Sequence, residues 1–313
     1  MCECVVYYCN RENYRNSTAL SVQTVRAAAQ PAVETRQSID ATMIHRTTTQ
    51  YEFVALTDAG RVRSNNEDAV GVNDTNGLAI LADGMGGYNA GEVASSMAVV
   101  YLDTHLSRLL QELGNDVTPT ELRIALEMCI NGANRNILEA ALTTSEHMGM
   151  GTTLVMGLFR SDRLLLAHVG DSRCYRLRDG ALQQLTRDHS WLQEQIDAGL
   201  ITPQQAQASD HGNLVTRALG VETSLDIEIN EFPLEPEDLY ILCSDGLTDM
   251  IGDDDLAALA KAPTSLEDKA QRMIQLANAM GGRDNISVVL VQVAGQKQKN
   301  IKPGLMSRLL RSH

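Results

Sequence analysis

Nine short apolar runs, at 51–57, 68–73, 77–82, 153–159, 163–169, 173–178, 226–231, 239–243 and 286–293, read as β-strands. They do not alternate one by one with helices. The segments with helical periodicity, 90–112, 119–142 and 265–279, instead come in blocks between groups of strands. That order argues against a βαβ-wound parallel sheet and for an α+β fold built in layers. At 313 residues the chain can hold one large domain or two ordinary ones, and 43% hydrophobic residues are ample for a core. With only 4% aromatic residues and one Trp, that core is drawn from Leu, Val, Ile, Ala and Met.

Three of these runs meet a carboxylate at one end. Leu81-Ala82 leads into Asp83-Gly84-Met85-Gly86-Gly87, Cys243-Ser244 leads into Asp245-Gly246, and Arg283-Asp284-Asn285 opens the run that begins at Ile286. A strand broken by Asp-Gly delivers its carboxylate to the rim of a sheet. Carboxylates far apart in sequence but alike in placement can converge, and hard oxygen ligands suit Mg²⁺ or Mn²⁺ rather than zinc. Taken singly, each Asp-Gly is equally a turn. The glycines at 84, 86 and 87, followed by the helix-like opening Gly91-Glu92-Val93-Ala94-Ser95, exceed what a turn needs and let backbone approach a ligand closely. Upstream, Arg63-Ser64-Asn65-Asn66-Glu67-Asp68-Ala69 offers a planar guanidinium that matches a tetrahedral oxyanion. An Arg beside acids is also a common surface ion-pair partner.

In order along the chain stand Arg63 with Asn66-Glu67-Asp68, Asp83 to Gly87, Gly91-Glu92 with Ala94-Ser95, Met150-Gly151-Thr152-Thr153, His168-Val169-Gly170-Asp171-Ser172-Arg173, Thr216-Arg217-Ala218-Leu219-Gly220, Ser244-Asp245-Gly246-Leu247 and Asp284-Asn285-Ile286. This collinear series closely resembles the bacterial branch of the metal-dependent protein phosphatase family (phosphatase 2C type), over about residues 50–294. The resemblance implies a four-layer α-β-β-α sandwich of two antiparallel sheets flanked by helices. It implies a metal centre at one edge that hydrolyses phosphoserine and phosphothreonine in proteins, opposing a bacterial Ser/Thr kinase.

Residue by residue, the resemblance implies that Asp83 bridges two Mn²⁺ or Mg²⁺ ions, that the carbonyl of Gly84 binds one, and that Asp245 and Asp284 hold the other. Asp171 would join Asp245 at a weaker third ion. Glu67 and Asp68 would act through water on the metals, with Asn285 beside Asp284 in support and Arg63 on the phosphate. Two cations about 3.5–4 Å apart lower the pKa of a bridging water and neutralise phosphoryl oxygens, with no covalent phospho-enzyme. Tyr88 stands where many bacterial members carry histidine. A phenol, with a pKa of about 10, is a poorer proton donor near neutrality than imidazole, which leaves Tyr88, a metal-bound water or no protein group as the general acid. A silent member of the family, used as a binding module, would show lost carboxylates, whereas Asp83, Asp171, Asp245 and Asp284 are all present.

The net charge of −14 is uneven. Five Arg against four acids in 1–48, and five basic residues against none in 295–313, leave −20 on the middle. An acidic body argues against general nucleic-acid binding. No apolar run is long enough to span a bilayer, nothing at the start resembles a signal peptide, and the six cysteines are scattered. These features predict a cytoplasmic monomer with reduced thiols. Cys2, Cys4 and Cys9 lack metal-site spacing.

The head, 1–48, is expected to lack ordered structure ahead of a catalytic domain at 49–294, with Met43 an alternative first residue. The basic tail, 295–313, is expected to be solvated, with an amphipathic helix around Leu305, Met306, Leu309 and Leu310 as the alternative. Residues 186–220 are polar and match the position of a variable flap beside the active site. Within them His189 fits either a substrate contact or a local hydrogen bond, while His168 reads as a packed strand residue. Cys129 and Arg135 fit the Cys-x5-Arg signature of cysteine phosphatases, but inside a helical pattern rather than a strand-to-helix loop. No nucleophile elbow, Walker loop or His-Glu-x-x-His is present.

Overall fold

The computed structural model describes residues 42–48, 50–87, 90–114, 116–207 and 214–295. The elements in chain order are β1 (Thr42–Thr47), β2 (Tyr51–Asp58), β3 (Asp68–Asn73), β4 (Leu78–Met85), α1 (Ala90–Leu113), α2 (Pro119–Thr143), a 3₁₀ turn (Ser145–His147), β5 (Gly151–Thr152), β6 (Leu154–Arg160), β7 (Arg163–Val169), β8 (Arg173–Arg178) and β9 (Ala181–Gln184). They continue with α3 (Trp191–Asp197), α4 (Pro203–Gln207), β10 (Glu228–Pro233), β11 (Leu239–Cys243), α5 (Asp245–Thr248), α6 (Asp253–Lys261), α7 (Leu266–Ala279) and β12 (Ile286–Val293). One sheet runs β1-β2-β12-β11-β8-β9 and the other β10-β7-β6-β4-β3, with β5 paired to the end of β4.

Burial explains why the strands read as unbroken apolar runs. In β2, Phe53 and Ala55 face the second sheet while Val54 and Leu56 face the helices; β12 divides in the same way, Val289 and Val291 inward and Val288 and Leu290 outward. A strand in the middle of four layers is buried on both faces, so no polar alternation survives. Between the sheets, Phe159 packs against Tyr51, Phe53 and Tyr240 at ring centroid distances of 5.9, 6.1 and 5.3 Å. These four aromatics sit at the centre, where truncating one costs about 3–5 kcal/mol. Helices α1 and α2 cover the outer face of one sheet, and α5, α6 and α7 cover that of the other. The four-layer sandwich expected from the sequence is the fold observed.

Local chemistry sets the helix ends. Thr118 and Glu121 form a reciprocal capping box at the start of α2, with Pro119 in the first turn, where its missing N–H leaves nothing unpaired. Cys129 lies within α2, and burial pushes its thiol up to about 11, which leaves it protonated and inert. At the other face, the ammonium of Lys269 on α7 is tucked under α6 and donates to the carbonyls of Ala260 and Ala262. Those are orphan carbonyls of a helix end. Lys269→Met should therefore lower unfolding free energy by about 1–3 kcal/mol in denaturant titrations, although it adds apolar volume.

Part of the head is ordered, contrary to expectation. Thr42–Thr47 pairs in register with β2, from Thr42 opposite Thr57 to Thr47 opposite Glu52, so the domain begins some residues before the expected boundary at 49. His45 in β1 places Nδ1 2.7 Å from Glu267 and Nε2 3.3 Å from Glu52, joining the edge strand to α7 and β2. Each ring nitrogen thus faces a different carboxylate. Residues 1–41 and 296–313, with Cys2, Cys4, Cys9 and most of the basic tail, lie outside the described residues. No helix among the described residues is long and apolar enough to cross a membrane.

Candidate metal centre

Antiparallel pairing brings the acidic motifs to one pole of the sandwich. Cys243, two residues before Asp245, pairs with Val288 on one side and Arg173 on the other, while Ile286, two residues after Asp284, pairs with Asp58. In the other sheet Asp68 stands directly opposite Asp83, and Leu154 opposite Val169, just before Gly170-Asp171. Thus the ends of β4, β7 and β11 and the starts of β3, β8 and β12 share a rim, and Asp68, Asp83, Asp171, Asp245 and Asp284 come to it from both sheets.

Polar side chains embedded in the strands lock the two sheets together beneath this rim. Ser244 Oγ donates to Asp68 Oδ2 across the sandwich (2.8 Å) and accepts the N–H of Ser287 (3.0 Å). Ser287 and Asn66 each bond Thr57 Oγ1 at 2.7 Å. Asn285 accepts the N–H of Glu67 (2.7 Å) and donates to the carbonyls of Asn65 (2.8 Å) and Ala59 (3.1 Å). Asp83 is held by its main chain: its N–H donates to Thr153 Oγ1 (3.1 Å) and its carbonyl accepts from Thr153 N (2.8 Å) and Thr152 Oγ1 (2.9 Å). Sequence reading missed Thr57, Ser244, Ser287, Thr152 and Thr153 in these roles. A lone hydroxyl in an otherwise apolar strand was the available signal.

Electrostatically the rim carries surplus negative charge. Burial raises the Asp83 carboxyl well above its usual range, and repulsion from Asp68, Asp245, Asp171 and Asp284 adds to it. Asp245 is raised in the same way, by burial and then by Asp171, Asp249, Asp284 and Asp68. Burial pushes Asp68 up to about 6 against hydrogen bonds from Ser287 and Ser244, and Asp171 up to about 6 with repulsion from Asp188. Asp249, one helical turn beyond Asp245, is a further carboxylate the motifs did not flag; burial raises it too.

Arg63 and Arg173 border the site, but both are already paired. Arg173 forks onto Asp188 (2.6–3.0 Å), and Arg63 Nη2 donates to Asp284 Oδ2 (2.7 Å). Arg63, expected to be a phosphate clamp, is thus observed in its alternative guise as an ion-pair partner, half exposed at the rim. Tyr88 lies outside the described residues.

The residues present fit hard dications. The donors are oxygens, negative charge is in excess, and among the described residues the buried Asp68 Oδ1 has no hydrogen-bond partner. Among the described residues, the groups of three metal-ligating side chains within 4.8 Å of one another are His168, His189 and Glu228, and His45, Glu52 and Glu267. The rim carboxylates are not among these groups.

An acid-rimmed β-sandwich of this kind defines a class of metal-dependent hydrolases, and comparison with known proteins narrows it. The protein phosphatase 2C family model matches residues 58–289. The serine/threonine phosphatase stp of Listeria welshimeri is 40% identical over 239 residues, covering 75% of this chain and 93% of that protein. The crystal structure of the Mycobacterium tuberculosis serine/threonine phosphatase PstP/Ppp superposes with a TM-score of 0.70 at 38% identity, covering 78% of this chain and 99% of the other. The catalytic domain of PstP in complex with two manganese ions gives a TM-score of 0.68 at 37% identity, with coverage of 78% and 99%. The chain belongs to the protein phosphatase 2C family and is a metal-dependent protein-serine/threonine phosphatase.

Proposed function

We propose that this rim hydrolyses phosphoserine and phosphothreonine in proteins through a centre of two Mn²⁺ or Mg²⁺ ions, with Asp171 and Asp245 offering a third, weaker position. The observation that supports the reading is the convergence of five mutually repelling carboxylates from both sheets on one pole. Asp83, the Gly84 carbonyl, Asp245 and Asp284 hold the pair. When bound, the ions supply Lewis acidity toward a water and toward the phosphoryl oxygens.

The chain's own groups do the rest. Thr152, Thr153 and Asn285 hold the carboxylate-bearing backbone still, and Glu67 and Asp68 orient water at the rim. Arg63 is the mobile element: leaving Asp284 for a phosphate exchanges one charge-assisted bond for another, so the exchange requires little net energy. Such an enzyme consumes the product of a Ser/Thr kinase, and that kinase class supplies its substrates. A cytoplasmic monomer remains the reading of the sequence.

The test is phosphate release from a phosphothreonine peptide with Mn²⁺, with Mg²⁺ and with EDTA. Release that EDTA abolishes supports the reading. A folded chain inert with every metal defeats it in favour of a silent binding module. Arg63→Ala should raise KM about tenfold or more with a smaller loss in kcat; an effect confined to kcat would place its action on the transition state instead. Tyr88→Phe tests the proton donor: unchanged kcat on an alkyl phosphopeptide removes Tyr88 from that role.

A further inference from the structure

His189 is buried at the root of the polar segment 186–220, and it is bonded twice to one residue of the metal rim's supporting loop. Its N–H donates to the carbonyl of Gly170 (2.9 Å), and its Nδ1 accepts the N–H of Gly170 (3.1 Å). Gly170 adopts φ +107°, a conformation that glycine reaches easily and that fixes little by itself. The residue that follows is Asp171. We infer that His189 is the positioning residue that clamps Gly170, thereby aims Asp171 at the rim, and couples that carboxylate to the flap; the inference rests on the reading of Asp171 as a metal-holding group.

The same histidine reaches the far side of the flap. Its carbonyl accepts the N–H of Thr216 (2.8 Å), and two residues beyond Arg217 the main chain of Leu219 pairs with Thr152, which bonds the Asp83 carbonyl. The clamp therefore lies on a continuous bonded path from flap to rim. His168 supports it from behind: the two rings stack at 4.7 Å and 17°, and His168 Nε2 is bonded to the Arg187 carbonyl at 2.9 Å. An Nδ1 that accepts leaves the proton on Nε2, which faces Glu228 Oε2 at 3.6 Å, while Arg217 Nη1, 3.4 Å away, is anchored by Asp226 (2.8 Å). Burial and the neighbouring His168 push His189 down to about 4, so the ring is neutral and its Nδ1 is available. His168, His189 and Glu228 are close enough to suggest a second metal site. Nearly parallel rings, however, aim their nitrogen lone pairs side by side rather than at a common point.

The experiment compares the wild type with His189→Phe and His189→Asn, and uses Asp171→Asn as the reference. Hydrogen exchange across 168–174 is followed in the metal-free chain, and Mn²⁺ binding is followed by calorimetry. Phenylalanine keeps the ring and its stacking but removes the acceptor. Exchange at Gly170 should rise about tenfold, and the Mn²⁺ affinity that Asp171→Asn weakens should fall about tenfold. Asparagine places a carbonyl oxygen where Nδ1 was and should restore both to within about threefold; a purely space-filling histidine would show the opposite order. Wild-type exchange and wild-type affinity in His189→Phe overturn the inference. Should that variant not fold, His189→Gln, whose amide reaches the Nε2 position instead, gives the same comparison. If Asp171→Asn leaves Mn²⁺ binding unchanged, the metal reading of Asp171 fails and its coupling to the flap is overturned with it, while exchange at Gly170 decides the clamp on its own.

Discussion

Asp83→Asn should lower Mn²⁺-dependent phosphate release by about 10³-fold or more while leaving the metal-free chain at least as stable as the wild type. The two effects have one cause. In the metal-free chain Asp83 is repelled by Asp68, Asp245, Asp171 and Asp284 and is drawn out of water, so an amide of the same shape relieves repulsion rather than breaking a favourable bond. With metal present the same charge becomes an attraction between cations and ligand, and its removal forfeits several kcal/mol of transition-state stabilisation, each 1.4 kcal/mol being about tenfold in rate. Melting in EDTA and in Mn²⁺ separates the two states. The wild type should gain about 2.7 kcal/mol at a metal concentration a hundredfold above the dissociation constant, and the variant much less. Wild-type turnover in Asp83→Asn would defeat the two-ion reading; a loss of stability in EDTA would mean that Asp83 serves the fold rather than the metal.

Gly84→Ala should be the most damaging single methyl group in the molecule's metal loop. A Cβ at Gly84 would lie 2.2 Å from the carbonyl oxygen of Gly91, 2.4 Å from its carbon and 2.5 Å from the carbonyl oxygen of Glu67. All three are backbone atoms, so no rotamer change relieves the clash. The Gly84 N–H also donates to that Glu67 carbonyl (3.1 Å), and Ser95 donates to the same oxygen (2.6 Å), so separating the chains breaks bonds as well. A loss of about 3 kcal/mol or more is expected, or roughly 6–12 °C in Tm for a domain of this size, together with weaker Mn²⁺ binding. Gly87→Ala is the control. Among the described residues nothing lies within 4 Å of a Cβ placed there, and its Tm should stay within about 1 °C of the wild type. Equal behaviour of the two variants would show that the close approach of β4 to the start of α1 is not a constraint in solution.

Most of the sandwich could be read before the structure was known because strands buried on both faces are apolar throughout and long helices declare their period. Eight of the nine expected strands coincide with observed ones to within two residues at each end, and the ninth, expected at 77–82, runs Leu78–Met85. The elements that escaped are short or marginal. Edge strand β1 is only partly buried, with Met43 and Ile44 packed against different cores, β9 has four residues, and α3 and α4 carry few buried apolar side chains, so pattern alone could not separate them from loop. Cys129 was placed correctly in a helix for the reason that helices reveal themselves, through spacing.

For the site, residue order was enough to nominate Asp83, Asp245 and Asp284, because chemistry that needs hard oxygen ligands selects Asp and because Asp-Gly marks where a strand ends, whereas Asp68 and Asp171 were nominated only by the family resemblance. Tertiary structure alone decided how those ends meet. Register places Asp68 opposite Asp83 and sets Ser244 across the sandwich on Asp68, a contact between residues 176 positions apart. It also joined Arg63 to Asp284 and turned His189 inward onto Gly170. A side chain's type limits what it can bind, whereas its partner is fixed only when sheets pair and pack, since each of these bonds spans elements that no local pattern connects.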